Sequence, residues 1–454
     1  MKSIVLNPLM GISLICVLPA VSVVQGAASS SDLYHQRVEA VRSIPGLAAF
    51  WDFVLREEGR ESNGRFLAHT APGDAHRYVL EPRNFSWDYW HEGRPATLAD
   101  FPLLGRGPFG EAVLFRSPPP DDLSHLPVLL VPRAELNNTP LDVKGPGRSV
   151  SMVVWMIHEE GNHAIAGIWH EGTLKARGTP AVVKEKGRRQ YALFAGLAAN
   201  PDAVAVHVSE NGVSSFGDIY ARHLAVTPQK MKNVPLDSAE ATLDAGWQAA
   251  GFVFDADTKV VTAYLDGVAA ERWTENPAKD RFFNHAARAW RLAQLAKMPG
   301  QQEGEDSAFP RDQFYDPPAE RPLREELIAE TATERTVLRV YEFTKVRVVQ
   351  PKSADGTWGD PIRFDLVALK TNPYWFGHSI HEPATEAEGG PFTIGRVLHM
   401  GRSGRMTAYL GGVAVYGRAL SPADMQTLAG IARSPSSPGG EGVLRKEQVA
   451  APRR

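Results

Sequence analysis

The chain has 454 residues, 43% of them hydrophobic, which is enough for one large or two ordinary domains with a sizeable core. Its 49 lysines and arginines stand against 52 aspartates and glutamates, which leaves a net charge of −3. With this balance, and with no basic stripe of interleaved aromatic residues, we expect no nucleic-acid partner.

The first 26 residues have the pattern of a secretory signal peptide. Lys2 precedes an apolar run over residues 10–24, and small residues follow at 26–28, where the peptide would be cut. The run is short for a membrane span and is interrupted by Pro19, although an uncleaved N-terminal anchor is the alternative. We expect an exported protein, secreted, periplasmic or at the cell surface, with no membrane span in the mature chain.

Cys16 is the only cysteine, and it lies in the segment that we expect to be removed. The mature chain would then have no thiol. Disulfides, thiolate metal sites and cysteine nucleophiles are therefore excluded.

The first predicted elements are a helix and several short strands. Residues 31–44 carry an apolar stripe at helical spacing that Pro45 and Gly46 end, so residues 27–46 are predicted to be a docking helix and a linker. Strands are predicted at residues 47–54, 77–80, 111–115 and 126–131, separated by segments rich in glycine and proline.

Residues 149–273 are predicted to be the centre of an all-β sandwich, because short apolar runs alternate there with turn signals. Valine occupies every second position over residues 204–208, which is the pattern of a strand with one buried face. Strands at residues 150–157, 165–169 and 191–196 are apolar on both faces and should lie inside a sheet. Strands at residues 247–254, 259–265 and 268–273 are predicted to form two hairpins, the second around Asp266-Gly267.

Residues 279–390 are predicted to be an insertion between two strands of the sandwich. A helix is expected at residues 282–298, an acidic surface loop at 301–322, and strands at 336–349 and 361–369. The segment has too few apolar residues at helix or strand spacing to form a core of its own, so it is not predicted to be an independent domain.

The chain is predicted to close with strands and a short helix. The strands are expected at residues 392–398, 405–410 and 413–416, and Ser421 with Pro422 and Asp424 is typical of a helix N-terminus. Residues 433–454, rich in serine, proline, glycine and arginine, are predicted to be a disordered tail. The main domain is expected to span residues 47–432.

Several segments resemble one family. They are residues 149–155, 190–194, 207–212 and 264–267, Trp247, and residues 411–421, which lead from a closing strand into a helix. They resemble the concanavalin A-like lectin/glucanase superfamily in its laminin G-like branch, over residues 47–431 apart from the insertion. The resemblance implies an all-β fold, a two-sheet antiparallel jelly-roll β-sandwich. The helix-containing insertion and the short terminal helices are predicted from the sequence pattern, and the insertion departs from the family.

The resemblance alone does not choose a function, because members are sugar-binding modules, adhesive domains, glycoside hydrolases or polysaccharide lyases. A glycosidase needs two carboxylates that flank the scissile bond. No predicted strand carries the Glu-x-Asp-x-x-Glu signature of the family's glucanases. We also do not recognise the motifs of its lyases, which are arginine-rich, Gln-x-His and Tyr-Lys-Gly. The sequence therefore favours binding over catalysis.

Two patterns suggestive of metal sites have simpler explanations. Asp255 and Asp257 flank a hairpin turn, where aspartate is favoured because it caps the local backbone, and calcium ligation is the alternative. His158 and His163 resemble a metalloprotease motif, but they are five residues apart in a strand and turn context, where no helix face can bring both onto one zinc. We predict no metal site and no cofactor, with calcium as the open alternative.

Two clusters of aromatic residues and histidines lie in segments predicted to be loops. The first comprises Trp87, Tyr89, Trp90 and His91, and the second comprises Tyr374, Trp375, His378 and His381. Sugar rings stack on tryptophan and tyrosine while histidine bonds their hydroxyl groups, so both clusters suit a carbohydrate site. The alternative is that they pin long loops against the sandwich. His207 would line a polar concave surface, or else is a solvated histidine.

Three functional hypotheses follow. The first is an exported, lectin-like protein that binds a polysaccharide or other glycan without chemistry. The second is a polysaccharide-degrading enzyme, a lyase or glycoside hydrolase, for example with Tyr374 or His378 as the base of a β-elimination. The insertion supports it, because extra loops build sites over a sandwich. The third is an adhesive or scaffolding module in which the aromatic residues anchor a protein partner.

Overall fold

The computed structural model describes residues 30–433, apart from 61, 120–121, 162, 176–181, 186, 198–199, 213–224, 276–280, 299–310 and 398–405. The strands are β1 (Leu47–Trp51), β2 (Phe66–Leu67), β3 (Val79–Asn84), β4 (Val113–Phe115), β5 (Pro127–Val131), β6 (Val150–Gly161), β7 (Ala164–His170), β8 (Thr173–Lys175), β9 (Val182–Glu185), β10 (Arg188–Leu197), β11 (Asn200–Val208), β12 (Ala225–Lys230), β13 (Gln248–Asp255), β14 (Val260–Leu265), β15 (Arg272–Glu275), β16 (Arg324–Glu330), β17 (Glu334–Val340), β18 (Thr344–Pro351), β19 (Arg363–Asn372), β20 (Tyr374–Trp375), β21 (Phe392–Ile394) and β22 (Met406–Tyr416). The α-helices are α1 (Ser30–Arg42), α2 (Phe85–Trp90), α3 (Arg133–Leu136), α4 (Glu240–Gly246), α5 (Arg281–Ala296) and α6 (Pro422–Arg433). The predicted signal peptide, and the predicted tail beyond Arg433, lie outside the described residues.

Two antiparallel sheets pack face to face. The first has the order β1-β22-β6-β13-β14-β20, with β4 also paired to β22, and the second has the order β12-β11-β10-β7-β21-β5-β3-β2. Their inner faces share one hydrophobic cluster, in which the rings of Tyr191 and Phe252 are 6.3 Å apart and Trp51 stacks on Phe392 at 5.3 Å. The predicted all-β sandwich is therefore confirmed.

The outer faces of the sheets are covered as well, which explains why the central strands are apolar on both sides. Along β13, Phe252 belongs to the inner cluster while Val253 belongs to a second cluster with residues of α1, α4 and α6. Trp155 of β6 donates its indole N–H to the carbonyl of Leu428 in α6 at 2.9 Å. As their sequence predicts, β6 lies inside the first sheet, and β7 and β10 lie inside the second.

A third antiparallel sheet, of order β15-β19-β18-β17-β16, is built mainly from the predicted insertion. Helix α5 packs on β19, and Trp290 of this helix joins Val346 and Leu369 of the sheet in the inner cluster of the sandwich. The strand character predicted over residues 336–349 is confirmed, and a turn after β17 divides the segment into a hairpin with β18.

The turn at Asp266 and Gly267 has the positive φ angles that the sequence predicts, 52° and 77°. It does not join two strands of one hairpin, however. The chain leaves the first sheet after the turn, and β15 pairs with β19 in the third sheet. A Cβ at position 267 would lie 2.9 Å from Cα of Gln426 in α6, so the approach of this helix also requires glycine.

The helices α1, α5 and α6 lie where the sequence predicts them. At the start of α6 the backbone N–H of Asp424 donates to Ser421 Oγ at 3.1 Å, and Asp424 accepts a bond from the Ser421 N–H at 3.1 Å. The sequence predicts Ser421 at the helix N-terminus, and the structure adds the reciprocal bond to Asp424. Within the described part of the chain, no helix is both long and apolar enough to cross a membrane.

Candidate functional site

A pocket of about 320 Å³ lies where three loops meet. The loops precede β6, follow β11 and follow β20, and a residue of the one-turn helix Arg311–Gln313 completes the wall. The lining residues are Gly145, Pro146, Glu210, Asn211, Gln313, His378, Ser379, Ile380, His381 and Glu382. Imidazole, amide, hydroxyl and carboxylate groups therefore converge on one concave surface.

Backbone hydrogen bonds hold the three loops together. The N–H of Gly145 donates to the carbonyl of Ile380 at 2.9 Å, and the N–H of His381 donates to the carbonyl of Ser209 at 2.7 Å. The loop that carries both histidines is thus bonded to the loops on either side of it. Backbone hydrogen bonds therefore fix the positions of the three loops relative to one another.

Two glycines allow these loops to approach closely. Gly212 has a φ of +74°, and a Cβ there would overlap the imidazole ring of His381. Gly145 has a φ of +82°, and a Cβ there would lie 2.8 Å from a carboxylate oxygen of Glu382. In both places a larger residue would displace a side chain that lines the pocket.

The pocket brings together His378 and His381, two of the residues that the sequence predicts to bind a ligand. Burial lowers the pKa of His381, although the backbone bond with Glu210 and the charges of Glu388 and Glu382 act in the opposite direction. The ring of His381 is therefore neutral at pH 7, where it can donate one hydrogen bond and accept another.

Two carboxylates, Glu210 and Glu382, also line the pocket, and the sequence does not single them out. A search for a catalytic pair on one strand misses them because they lie on different loops, after β11 and after β20. Only weak sequence signals could have identified these two residues as part of a site. Glu210 begins the turn before Gly212, and Glu382 directly follows His381.

Tyr374 and Trp375 form β20 instead of an exposed loop, and both of their rings contact the ring of Tyr315. Tyr374 is fully buried, and its ring lies 5.6 Å from that of Tyr315. Burial raises the pKa of Tyr374, and the nearby charge of Glu210 raises it further. Its hydroxyl makes no hydrogen bond to a described residue. Neither residue lines the pocket, and packing, the alternative raised for these aromatics, accounts for Tyr374.

The first aromatic cluster lies on helix α2, where the sequence predicts a loop. Tyr89 and Trp90 pack on a cluster that includes Val128 of β5, so they cover the outer face of the second sheet. Trp87 is 38% exposed and His91 is exposed at the C-terminal cap. None of these residues lines the pocket.

The prediction that His207 faces a polar surface or solvent is wrong. This residue is 1% exposed, and its ring lies 5.3 Å from Trp169 and 5.1 Å from Phe194. The outer face of the second sheet carries a hydrophobic cluster here that includes Val226 and Trp169, so the side of β11 opposite the valines is covered too.

Two of the residues first weighed as metal ligands, Asp255 and His158, contact other groups of the protein. Asp255 accepts hydrogen bonds from the Asp257 N–H at 3.0 Å and from the Thr258 hydroxyl at 2.8 Å, so it caps its own turn. His158 lies on β6, and its Nδ1 is 3.0 Å from Oδ1 of Asn233.

No family model matches this sequence, and no curated protein matches it either. Among solved structures it is similar to Trypanosoma rangeli sialidase in complex with sialic acid, at 10% identity and a TM-score of 0.31. It is also similar to the ligand-binding domain of botulinum neurotoxin serotype D in complex with N-acetylneuraminic acid, at 8% identity and 0.32, and to the binding domain of Paraclostridial Mosquitocidal Protein 1, at 9% and 0.34.

These three matches cover 88%, 86% and 85% of this chain but only 38%, 52% and 52% of the other chains. At such TM-scores the similarity carries no conclusion about function. Fold and pocket together define a β-sandwich protein with a polar pocket built from connecting loops.

Proposed function

We propose that this is an exported, lectin-like protein that binds a glycan in the pocket lined by His378 and His381. The observation that carries the proposal is the lining itself, in which Asn211, Gln313 and Ser379 add amide and hydroxyl groups to the two imidazoles. Sugar hydroxyls both donate and accept hydrogen bonds, and these groups do the same. A volume of about 320 Å³ is at the small end of the usual range for ligand pockets.

The resemblance to the laminin G-like branch of the concanavalin A-like superfamily supports the same proposal, because sugar-binding modules are common in it. The predicted signal peptide supports export, and an exported protein would encounter polysaccharides. Among the described residues, Trp87 on α2 is a large aromatic side chain that is 38% exposed, as a sugar-stacking residue would be. A glycan site on α2 is therefore the competing location.

The test is a binding screen of the purified protein against a panel of neutral and charged glycans, followed by four alanine variants. His378→Ala and Gln313→Ala should each weaken binding by about 3- to 10-fold, the usual contribution of one hydrogen bond. His35→Ala removes an exposed imidazole on α1 and should leave affinity unchanged. Loss of binding in Trp87→Ala alone would place the site on α2 instead.

A second candidate function is hydrolysis of a glycosidic bond, and the presence of Glu210 and Glu382 in one pocket favours it. Retaining and inverting glycosidases both use two carboxyl groups that flank the bond. The β-elimination with Tyr374 as base loses support, because this phenol is fully buried and its pKa is raised. His378, which lines the pocket, stays the other candidate base for that reaction.

New reducing ends or unsaturated sugar ends in the same screen would support an enzyme. Glu210→Gln and Glu382→Gln should then each lower the rate by roughly 100-fold or more, as expected for the loss of a general acid or base. Affinity without turnover would support the lectin. If the protein neither bound nor cleaved any glycan, the remaining hypothesis would be the adhesive module that binds a protein partner.

A further inference from the structure

A buried carboxylate, that of Asp142, lies close in the chain to Gly145, which lines the pocket. Its side chain has no exposure to solvent. The guanidinium of Arg133 donates to both of its oxygens, at 2.6 and 2.8 Å, and the ammonium group of Lys144 donates to one of them at 2.7 Å. Gln190 adds a bond at 3.2 Å. One carboxylate therefore joins helix α3, the loop before β6 and strand β10.

The bonds keep this carboxylate ionised. Burial alone would raise the pKa of Asp142, but the bonds from Arg133, Lys144 and Gln190 lower it. An ionised acceptor makes stronger hydrogen bonds than a neutral one. Because two cations share the carboxylate, the loss of Lys144 would leave it paired with Arg133, and no buried charge would be left without a partner.

Two further hydrogen bonds fix the chain on either side of Asp142. Gln190 also donates to the carbonyl of Val143 at 3.0 Å, and the hydroxyl of Tyr191 donates to the carbonyl of Leu141 at 2.9 Å. Both donors belong to β10, an interior strand of the second sheet. The segment that leads into the pocket is thus bonded to the sandwich itself.

The same cluster contacts the segment that runs from the two pocket histidines to β21. A Cβ at Gly389 would overlap the guanidinium of Arg133, so this side chain packs directly on the segment. Asn137, which follows α3, donates to the carboxylate of Glu386. Together with the backbone bond between the loops before β6 and after β20, these contacts connect two of the three pocket loops to one buried carboxylate.

We infer that Asp142 is a positioning residue of the pocket, and that Lys144 is the tether through which it holds the wall formed by Gly145 and Pro146. The inference rests on the proposed glycan-binding function, because it assigns Asp142 and Lys144 an effect on affinity without contact with the ligand. Neither is among the described residues that line the pocket. A loop that is already in place when the ligand arrives loses less conformational entropy on binding.

Lys144→Met tests the inference, because it removes the ammonium group and keeps the length of the side chain. Since Arg133 still pairs with Asp142, the melting temperature should change by no more than about 2 °C. Glycan affinity, measured by titration calorimetry, should fall by roughly 10-fold. Lys144→Arg keeps a charged donor within reach of the carboxylate and should restore most of the affinity.

Lys345→Met is the matched control. The side chain of Lys345 is 21% exposed, against 16% for Lys144, and it pairs with the carboxylate of Glu275 at 3.5 Å. It lies on β18 of the third sheet and does not line the pocket. This variant loses a lysine of similar burial and should bind glycans like the natural protein. Equal losses of affinity in the two methionine variants would overturn the inference.

Hydrogen exchange tests the tether without any ligand. The N–H of Gly145 is bonded to the carbonyl of Ile380. In Lys144→Met, exchange over residues 141–148, followed by mass spectrometry, should become roughly 10-fold faster while exchange in β10 is unchanged. Unchanged exchange over residues 141–148 would overturn the inference even if the protein binds a glycan.

The two measurements separate the inference from the proposed function. Faster exchange in Lys144→Met with unchanged affinity would overturn the inference and leave the glycan-binding function standing. If the natural protein bound no glycan, that result would overturn the proposed function, and the exchange measurement would still decide whether Lys144 holds the loop.

Discussion

At the scale of single residues, Asp52 shows how hydrogen bonds compensate for the burial of a charge. Asp52 has no exposure to solvent. Its oxygens accept bonds from the backbone N–H groups of Val54 and Leu55, both at 2.9 Å, and from the Tyr34 hydroxyl at 2.6 Å, and they lie 2.8 Å from the His69 ring. Burial alone would raise the pKa of Asp52, but these bonds, that of His69 foremost, lower it. The ionised carboxylate thereby ties α1 to the loop after β1.

Asp52→Asn should lower the free energy of unfolding at pH 7 by about 2 kcal/mol, since hydrogen bonds to a charged group are replaced by weaker ones. The folded-state pKa of Asp52 is lowered, so its stabilisation is present above the unfolded-state value of about 3.9 and is lost as the pH falls through the folded-state value. Urea unfolding at several pH values should therefore show the two proteins converging below about pH 4. Tyr34→Phe keeps the charge of Asp52 and is the control. If Asp52→Asn lowered the free energy of unfolding by the same amount at every pH value, that result would contradict a stabilising role for the ionised carboxylate.

A matched pair of glycines separates backbone strain from damage to the pocket. Gly212 and Gly356 have φ angles of +74° and +84°, but a Cβ at 212 would overlap the His381 ring, whereas one at 356 meets nothing within 4 Å. Both alanine variants should lose about 1 to 2 kcal/mol of stability from the left-handed backbone. Only Gly212→Ala should weaken glycan binding, by roughly 10-fold, measured by calorimetry. Equal binding by both variants would show that His381 is not positioned by Gly212.

Among the elements, α2 illustrates how one capping side chain holds a short helix and a loop. Oδ1 of Asn84 accepts bonds from the N–H groups of Ser86 at 3.1 Å and Leu126 at 2.8 Å, and its amide donates to the carbonyl of Arg94 at 2.7 Å. The helix has six residues, too few to be stable alone. Its position therefore depends on this cap and on the packing of Tyr89 and Trp90.

Asn84→Ala should lower the free energy of unfolding by about 2 to 3 kcal/mol, because it removes a helix cap and leaves buried backbone groups without partners. Limited proteolysis should then cut within residues 85–94, which the natural protein protects. Asn84→Asp keeps the acceptor oxygen and should be intermediate in both measurements. Unchanged stability in Asn84→Ala would mean that packing alone holds α2.

In the whole molecule, the outer face of the first sheet is covered by helices that are far apart in the chain, α1 and α6. Residues of α1 and α6 share one hydrophobic cluster with the outer side of the first sheet. Met425 and Leu428 of α6 are buried there, and Trp155 is bonded to this helix. The sheet would expose large apolar side chains without it.

Removal of residues 421–454 should destabilise the protein by about 5 kcal/mol or more, since each large buried side chain of α6 contributes about 1.5 to 3 kcal/mol. Removal of residues 434–454 alone should leave the melting temperature unchanged, because this tail is predicted to be disordered. Differential scanning calorimetry of the two truncated proteins measures both. A large loss from the shorter truncation would contradict the predicted tail, and no loss from the longer one would contradict the role of α6.

Much of the fold was predictable from the sequence because it depends on local patterns. Alternating valines, turn residues and helix caps locate β11, the turn at Asp266-Gly267 and α6, and runs that are apolar on both sides identify β6 and β10 as interior strands. The direction of the chain after Asp266-Gly267 was not predictable, since a turn sets local angles and not the sheet that the next strand joins. The third sheet was missed as a sheet for the same reason.

The candidate site depended on tertiary structure. The sequence by itself determined that histidines and aromatic residues were present, and His378 and His381 were among them. Only the packing of distant segments decided that these two face a pocket, that His207 and Tyr374 are buried, and that Glu210 joins Glu382. Burial depends on what covers a residue, and the covering groups here come from far along the chain.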